Sequence, residues 1–178
     1  MVIHITQEDD LILQSYYTTV LLKALGDSQL ERSDYFAALN MPEWTKKGLR
    51  EIGVQNQGSA LMALYAMFVV PRQLIRAEFP DQFAGIESFL KTAVSKVETT
   101  YKHEDASNRG TIRFADHIRN SVAHARVMFI PKVSIEFTDR KGKQEFKATL
   151  PLSKFGELLG KMQEVHLAYI NRRNATAP

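Results

Sequence analysis

In the stretch KVSIEFTDRKGKQEFKATL, Lys132 to Leu150, apolar residues alternate, whereas the segments before and after it repeat at helical spacing. That change of period limits the chain to a helical protein carrying one small β element. Val133, Ile135 and Phe137 fall on one strand and Phe146, Ala148 and Leu150 on another, with DRKGK between them as a turn. Side chains along a strand alternate between faces, so the pattern predicts a β-hairpin over about 132–150.

Upstream, Leu11, Leu13, Tyr16, Tyr17, Val20, Leu21 and Leu25 recur at helical spacing, with Thr6 as a candidate N-cap and Gly26 as a stop. Short helical pieces follow, broken at Asn40-Met41-Pro42. A longer helix is expected over about 57–79, kinked or divided at Pro71, because proline lacks an amide donor and crowds the preceding turn. Another is expected over about 81–101, with Phe83, Ile86, Phe89, Leu90, Val94 and Val97 as its apolar stripe. The polar run KHEDASNRG, Lys102 to Gly110, reads as a loop, and a helix over about 111–125 follows it. Pro151 closes the hairpin; the last helix is expected over about 153–172 and a frayed tail over 173–178. The architecture read from the pattern is mainly α: one helical domain, residues 1–172, with a hairpin inserted before the C-terminal helix.

A chain of 178 residues can bury a proper core, and the absence of cysteine excludes disulfides, thiolate zinc sites and a cysteine nucleophile. No basic segment leads into an apolar core at the N-terminus. The most apolar run, Ala60 to Pro71, has about half the ~20 residues that cross a bilayer, so a soluble, cytoplasmic protein is expected, without membrane association. Glycines 48, 53, 58 and 85 are scattered rather than gathered into a phosphate loop, and His103 with Glu104 has no second ligand group at metal spacing. Neither a metal nor a cofactor is expected. Trp44, Phe36 and Tyr35 read as core or interface residues.

Charge is unevenly placed. Between Arg109 and Lys147 nine basic residues face four acidic ones, whereas the rest of the chain sums to −2. The positive segment favours phosphate-bearing partners, although a solvated hairpin with lysines at its turn accounts for the same count.

The stretch IRNSVAHARV, Ile118 to Val127, lies inside that segment. At ~100° per residue, Asn120 and His124 share a helix face and His117 joins them one turn earlier. Arg113 and Asp116 extend the face, while Ile112, Ala115, Ile118, Val122 and Ala123 form the apolar side. Arg119 lies ~140° around from His124 and reaches the face through its length. Each residue also has an ordinary reading: His124 as a dipole-friendly helix end, His117 as surface decoration beside Asp116, Arg113 as its ion-pair partner. Asn120 is the odd choice, since asparagine disfavours helix interiors unless something hydrogen-bonds it.

RNSVAH, Arg119 to His124, resembles the RNxxxH form of the motif of the HEPN superfamily, the higher eukaryotes and prokaryotes nucleotide-binding domains. Ile118 before the arginine and Ala123 before the histidine fit the same pattern, and a late motif helix followed by a hairpin and a C-terminal helix is similar to several prokaryotic groups. The resemblance implies an α-helical bundle and, in many members, a metal-independent endoribonuclease acting as a homodimer through the motif helix. It carries over Arg119, Asn120 and His124 as catalytic residues; Arg113, His117 and Arg126 are added as substrate-binding candidates from their placement. RNA or a nucleotide is the implied ligand, with an antitoxin or defence protein as a further kind of partner. Two other readings stand beside the nuclease: a non-catalytic HEPN-like module binding RNA, nucleotide or protein, and an unrelated helical protein in which RNSVAH only caps a helix.

Overall fold

A computed structural model describes residues 7–176, so the cap expected at Thr6 lies outside the described residues. Helix α1 spans Gln7–Asp27. A 3-10 turn at Leu30–Arg32 leads to α2, Asp34–Ala38, where Ser33 Oγ accepts a hydrogen bond from the Phe36 amide at 3.1 Å. The chain breaks before Pro42 and resumes as α3, Glu43–Ile52. Asn56 and Ser59 form a reciprocal capping box at the start of α4, Gln57–Leu64.

A π-helical turn, Tyr65–Val69, joins α4 to α5, Val70–Leu74. In a regular α-helix the ring of Pro71 would press on the carbonyl one turn back. The wider turn, closed by the Val70 amide on the Tyr65 carbonyl, takes up that ring. The helical run stops at Leu74 rather than Phe79. Pro80 opens α6, Pro80–Ala93, and turns Phe79, the residue before it, away from helical geometry.

The helix expected as far as residue 101 ends at Ala93, and Lys96–Thr99 forms strand β1. The segment VSKVETTY is rich in β-branched residues, which gain from a pleated neighbour that helical periodicity cannot reveal. After a 3-10 turn at Arg109–Thr111 comes α7, Phe114–Ala123, which carries the RNSVAH motif. Strand β2, Val127–Ile130, lies outside the expected hairpin; it precedes β3, Ser134–Lys141, and β4, Gln144–Pro151. A 3-10 turn at Leu152–Lys154 opens into α8, Phe155–Thr176, which continues through most of the segment expected to be a tail.

The four strands form one antiparallel sheet in the order β1-β4-β3-β2, so the expected hairpin is its centre. Lys141 pairs with Gln144 across a two-residue loop, and Gly142 supplies the left-handed φ of 61° that such a tight turn requires. The register places Ile135 opposite Leu150, Phe137 opposite Ala148 and Asp139 opposite Phe146, all on the inward face. That face packs on α7, and α7 packs on α6 and the π-helical turn; α8 lies against α6. Phe68, Phe114, Phe137, Phe146, Ile118 and Leu158 are fully buried where these layers meet. Burying each such side chain contributes roughly 1.5–3 kcal/mol.

The stripe expected on α1 is mostly not core: Ile12 is buried, while Leu11, Tyr17, Val20 and Leu21 are exposed. Phe36 is buried; Tyr35 and Trp44 are exposed. Among the described residues, no helix is long and apolar enough to cross a membrane.

The contact of α1 with α8 is partly polar. His166 is completely buried, with Nδ1 3.1 Å from the Met162 carbonyl, Nε2 3.4 Å from Ser15 Oγ, and its ring stacked on Tyr16. Burial lowers its pKa, and the Met162 carbonyl offsets only part of that shift. The unfolded chain therefore binds this proton more readily than the folded one. Stability from this site is complete above the ordinary histidine pKa of ~6.5 and is lost as pH falls through the lowered folded value. Chemical denaturation at pH 7 and pH 5 should show a loss of stability at the lower pH, and His166→Gln should reduce that loss.

Candidate functional site

Helix α7 is fixed at both ends by side chains from elsewhere. Its first free amides, Phe114 and Ala115, donate to the Glu87 carboxylate on α6 at 3.1 and 2.7 Å. A carboxylate there satisfies orphan amides and suits the positive end of the helix dipole. The loop before it is tied back by Arg109, whose Nη1 donates to the carbonyls of Lys91 and Val94 at the end of α6. Ile118 and Val122 are buried on one side of the helix.

At the far end, the Arg126 amide donates to the Ser121 carbonyl at 2.8 Å and the Ala125 amide to the Val122 carbonyl at 3.1 Å. This is a Schellman motif with Ala125, at φ 52°, in the left-handed position usually given to glycine. The helix therefore stops at His124, which stands exposed at its end.

The polar face of α7 opens onto a cleft of about 840 Å³, bounded by Tyr101 to Glu104, the face itself, and the β3–β4 end of the sheet. Asp116, His117, Asn120 and His124 all line it, as the helical spacing predicts. Their states differ sharply. His117 is buried, not surface decoration. Its Nδ1 lies 2.7 Å from Asp139 Oδ2 and its Nε2 2.8 Å from Glu104 Oε1. Phe146 stacks on the ring at 4.3 Å and Tyr101 tilts against it at 4.6 Å. Neither nitrogen is free for a substrate.

His124 is the opposite case: its ring makes no hydrogen bond to any described residue, and it is open to solvent. Asn120 Nδ2 donates to Asp139 Oδ2 at 3.1 Å, which answers why an asparagine sits in mid-helix. Arg119 does not line the cleft; its Nη1 donates to Asn120 Oδ1 at 3.0 Å and its Nη2 to Gln73 Oε1 on α5 at 2.7 Å. Arg113 occupies the N-cap position and extends over the cleft with its side chain exposed. Arg126 lies beyond the helix end, with Nη1 3.4 Å from the Arg140 carbonyl, and does not line the cleft.

Further polar and charged groups shape the cleft. Burial alone would raise the Asp116 carboxyl, but the hydrogen bond and charge of buried Arg72, with Arg76 and Arg113, hold it below the ordinary carboxylate value. Burial and the Asp139 carboxylate push Tyr101 up to about 12, so its hydroxyl remains a donor to Asp139 Oδ2 at 3.3 Å. Lys102, His103, Arg140 and Lys141 add exposed basic groups.

The sequence pattern gives no role to Asp139, Tyr101 or Arg72, and marks Glu104 only as the neighbour of His103. Asp139 had a visible signal: Ile135, Phe137 and Asp139 are two apart, so continuing the strand two residues puts the carboxylate on the inward face. Glu104 had none, being one acid in a polar loop. Among the described residues, no three His, Asp or Glu side chains are arranged to hold a metal ion. Glu104 and Asp139 contact opposite nitrogens of one imidazole instead.

A family model described as HEPN pEK499 p136 matches residues 13–173, and the chain belongs to that family. No curated protein and no solved structure matches it.

The Schellman residue gives a direct check on how α7 ends. A left-handed conformation costs an L-residue roughly 1–2 kcal/mol, and glycine avoids that cost. Ala125→Gly should raise stability by about 0.5–1 kcal/mol in urea denaturation, without moving the cleft.

Proposed function

We propose that this HEPN-family protein is a metal-independent endoribonuclease working as a dimer through α7, with His124 as general acid and base, Arg119 on the phosphate and Asn120 as the residue between them. The observation that carries the reading is the contrast between two histidines on one helix face. His117 has both nitrogens occupied, whereas His124, one turn past Asn120 on the same cleft, has neither occupied among the described residues.

RNA supplies its own nucleophile. The 2′-oxygen attacks the adjacent phosphorus as a base takes its proton, and the P–O5′ bond breaks as an acid protonates the leaving oxygen. The products are a 2′,3′-cyclic phosphate and a 5′-hydroxyl; DNA, lacking the 2′-hydroxyl, is not a substrate. Histidine transfers protons near neutral pH, and a guanidinium fork matches the oxygens of the charged intermediate.

One free imidazole cannot comfortably be base and acid in the same step. Arg119, ~140° around the helix from His124, is also not in the same copy's cleft. Two α7 helices meeting about a two-fold axis remove both difficulties, because each copy brings a histidine and an arginine to a shared groove. Arg113, Lys102, Arg140 and Lys141 along the cleft then act as phosphate contacts for the strand. A cytoplasmic setting and an antitoxin or defence partner accord with this activity.

The alternative, a non-catalytic RNA- or nucleotide-binding module, is favoured by one feature: Arg119 lies outside the cleft that His124 lines and is engaged by the Asn120 and Gln73 side chains. Purified protein incubated with mixed RNA in EDTA separates the two. Cleavage leaving cyclic-phosphate ends, reduced at least about 100-fold in His124→Ala, is the expected result. Intact RNA with a folded, dimeric wild-type protein supports the binding module.

A further inference from the structure

A hydrogen-bonded chain crosses the site from the loop after β1 to α5. It runs from Glu104 through His117, Asp139, Asn120 and Arg119 to Gln73. We propose that Glu104, His117 and Asp139 are positioning residues for Arg119. They hold the Asn120 amide in one orientation and thereby aim the guanidinium without neutralising it. The purpose assigned to this chain rests on the nuclease reading above; its existence as a positioning device does not.

What each group can give or accept fixes the chain's direction. An ionised carboxylate only accepts hydrogen bonds, and a guanidinium only donates. Asn120 stands between one of each, with Asp139 Oδ2 3.1 Å from its Nδ2 and Arg119 Nη1 3.0 Å from its Oδ1. Turning the amide over would set oxygen against carboxylate and NH₂ against guanidinium, so both contacts would become repulsive. Its two neighbours therefore decide its orientation. Aspartate at position 120 would face Asp139 as a like charge.

Asp139 must be equally fixed for this to hold. Its place on β3 opposite Phe146 sets the backbone, and Oδ2 is within hydrogen-bond distance of His117 Nδ1 and the Tyr101 hydroxyl. The His117 ring is clamped by Phe146 and Tyr101, and its far nitrogen meets Glu104 Oε1. Glu104 is anchored in turn by Thr99 Oγ1 at 3.0 Å and the Arg113 amide at 3.3 Å. The side chains of Glu104, His117 and Asp139 are all buried. Removing any one loosens the next.

Arg119 shows what the chain achieves. Arg72, Arg76 and Arg113 gather on Asp116, and Arg140 pairs with Glu145. Arg119 is instead held by two neutral amide oxygens, those of Asn120 and Gln73. Its direction is fixed and its full charge is kept, which is the combination a phosphate site needs.

The test compares Arg119 and Asn120 by ¹⁵N NMR in the intact protein, wild type and Asp139→Asn, alongside RNA cleavage kinetics. In the wild type, slow rotation of the guanidinium should give resolved Nη signals, and the Asn120 NH₂ protons should exchange slowly. Asp139→Asn can face Asn120 with either end of its amide, so the Arg119 signals should merge and Asn120 exchange should quicken. kcat should fall about 10- to 100-fold with KM changed less than about twofold, the signature of a misaimed group. Unchanged Arg119 signals in a folded Asp139→Asn protein overturn the proposal. Should that variant fail to fold, Glu104→Gln carries the same comparison two links further back: faster Asn120 exchange supports the relay and unchanged exchange overturns it. RNA left intact by the wild type refutes the nuclease reading alone, because the NMR comparison still decides the relay.

Discussion

The imidazole of His117, between Glu104 on one edge and Asp139 on the other, is the contact on which the rest of the site depends. It joins three parts of the chain that share no secondary structure: the loop after β1, helix α7 and strand β3. A neutral imidazole carries one N–H, so both contacts become hydrogen bonds only when the three groups hold two protons among them. A carboxylate taken out of water without a partner costs several kcal/mol. The ring therefore shares with Tyr101, Asn120, Thr99 and the Arg113 amide the task of keeping two acids inside the fold, and it ties α7 to the sheet.

From that fixed point the properties of the helix face follow in order. Asp139, once oriented, takes the nitrogen end of Asn120; Asn120 offers its oxygen to Arg119; and α7 ends one turn later in a Schellman motif that leaves His124 in solvent. The face is thus graded, from locked residues near the helix centre to an open histidine at its end. Glu87 and Arg109 hold the opposite end to α6, so the helix cannot shift along the sheet to change that grading. A fixed face ending in one exposed imidazole, without a hydrogen-bond partner among the described residues, accords with the proton transfer proposed for it.

Much of this was readable from local pattern, and the remainder depended on partners distant in the chain. The spacing of His117, Asn120 and His124 placed all three on one cleft, because helical geometry is a local property. Alternation at Ile135 and Phe137 locates the hairpin, yet the lysine and glycine after Asp139 make it read as part of the turn. Lys96–Thr99 reads as helix in isolation because β4, its partner, lies about fifty residues further on. Glu104 acquires its role only when Thr99 and His117 converge on it, and a loop composition carries no sign of that. The apolar positions of α1 show the converse: helical spacing predicted a helix correctly, but spacing alone does not say which of Leu11, Tyr17, Val20 and Leu21 the fold covers, and it covers none of them fully.

The most direct measurement is imidazole NMR of ¹⁵N-histidine-labelled protein, titrated with an RNA dinucleotide whose 2′-hydroxyl at the scissile position is replaced by hydrogen. The account predicts that the His124 ring signals move saturably with the dinucleotide, while those of His117 keep their shifts and their slowly exchanging ring protons. Movement of the His117 signals with His124 unaffected, or no change at either ring at millimolar dinucleotide, would contradict it.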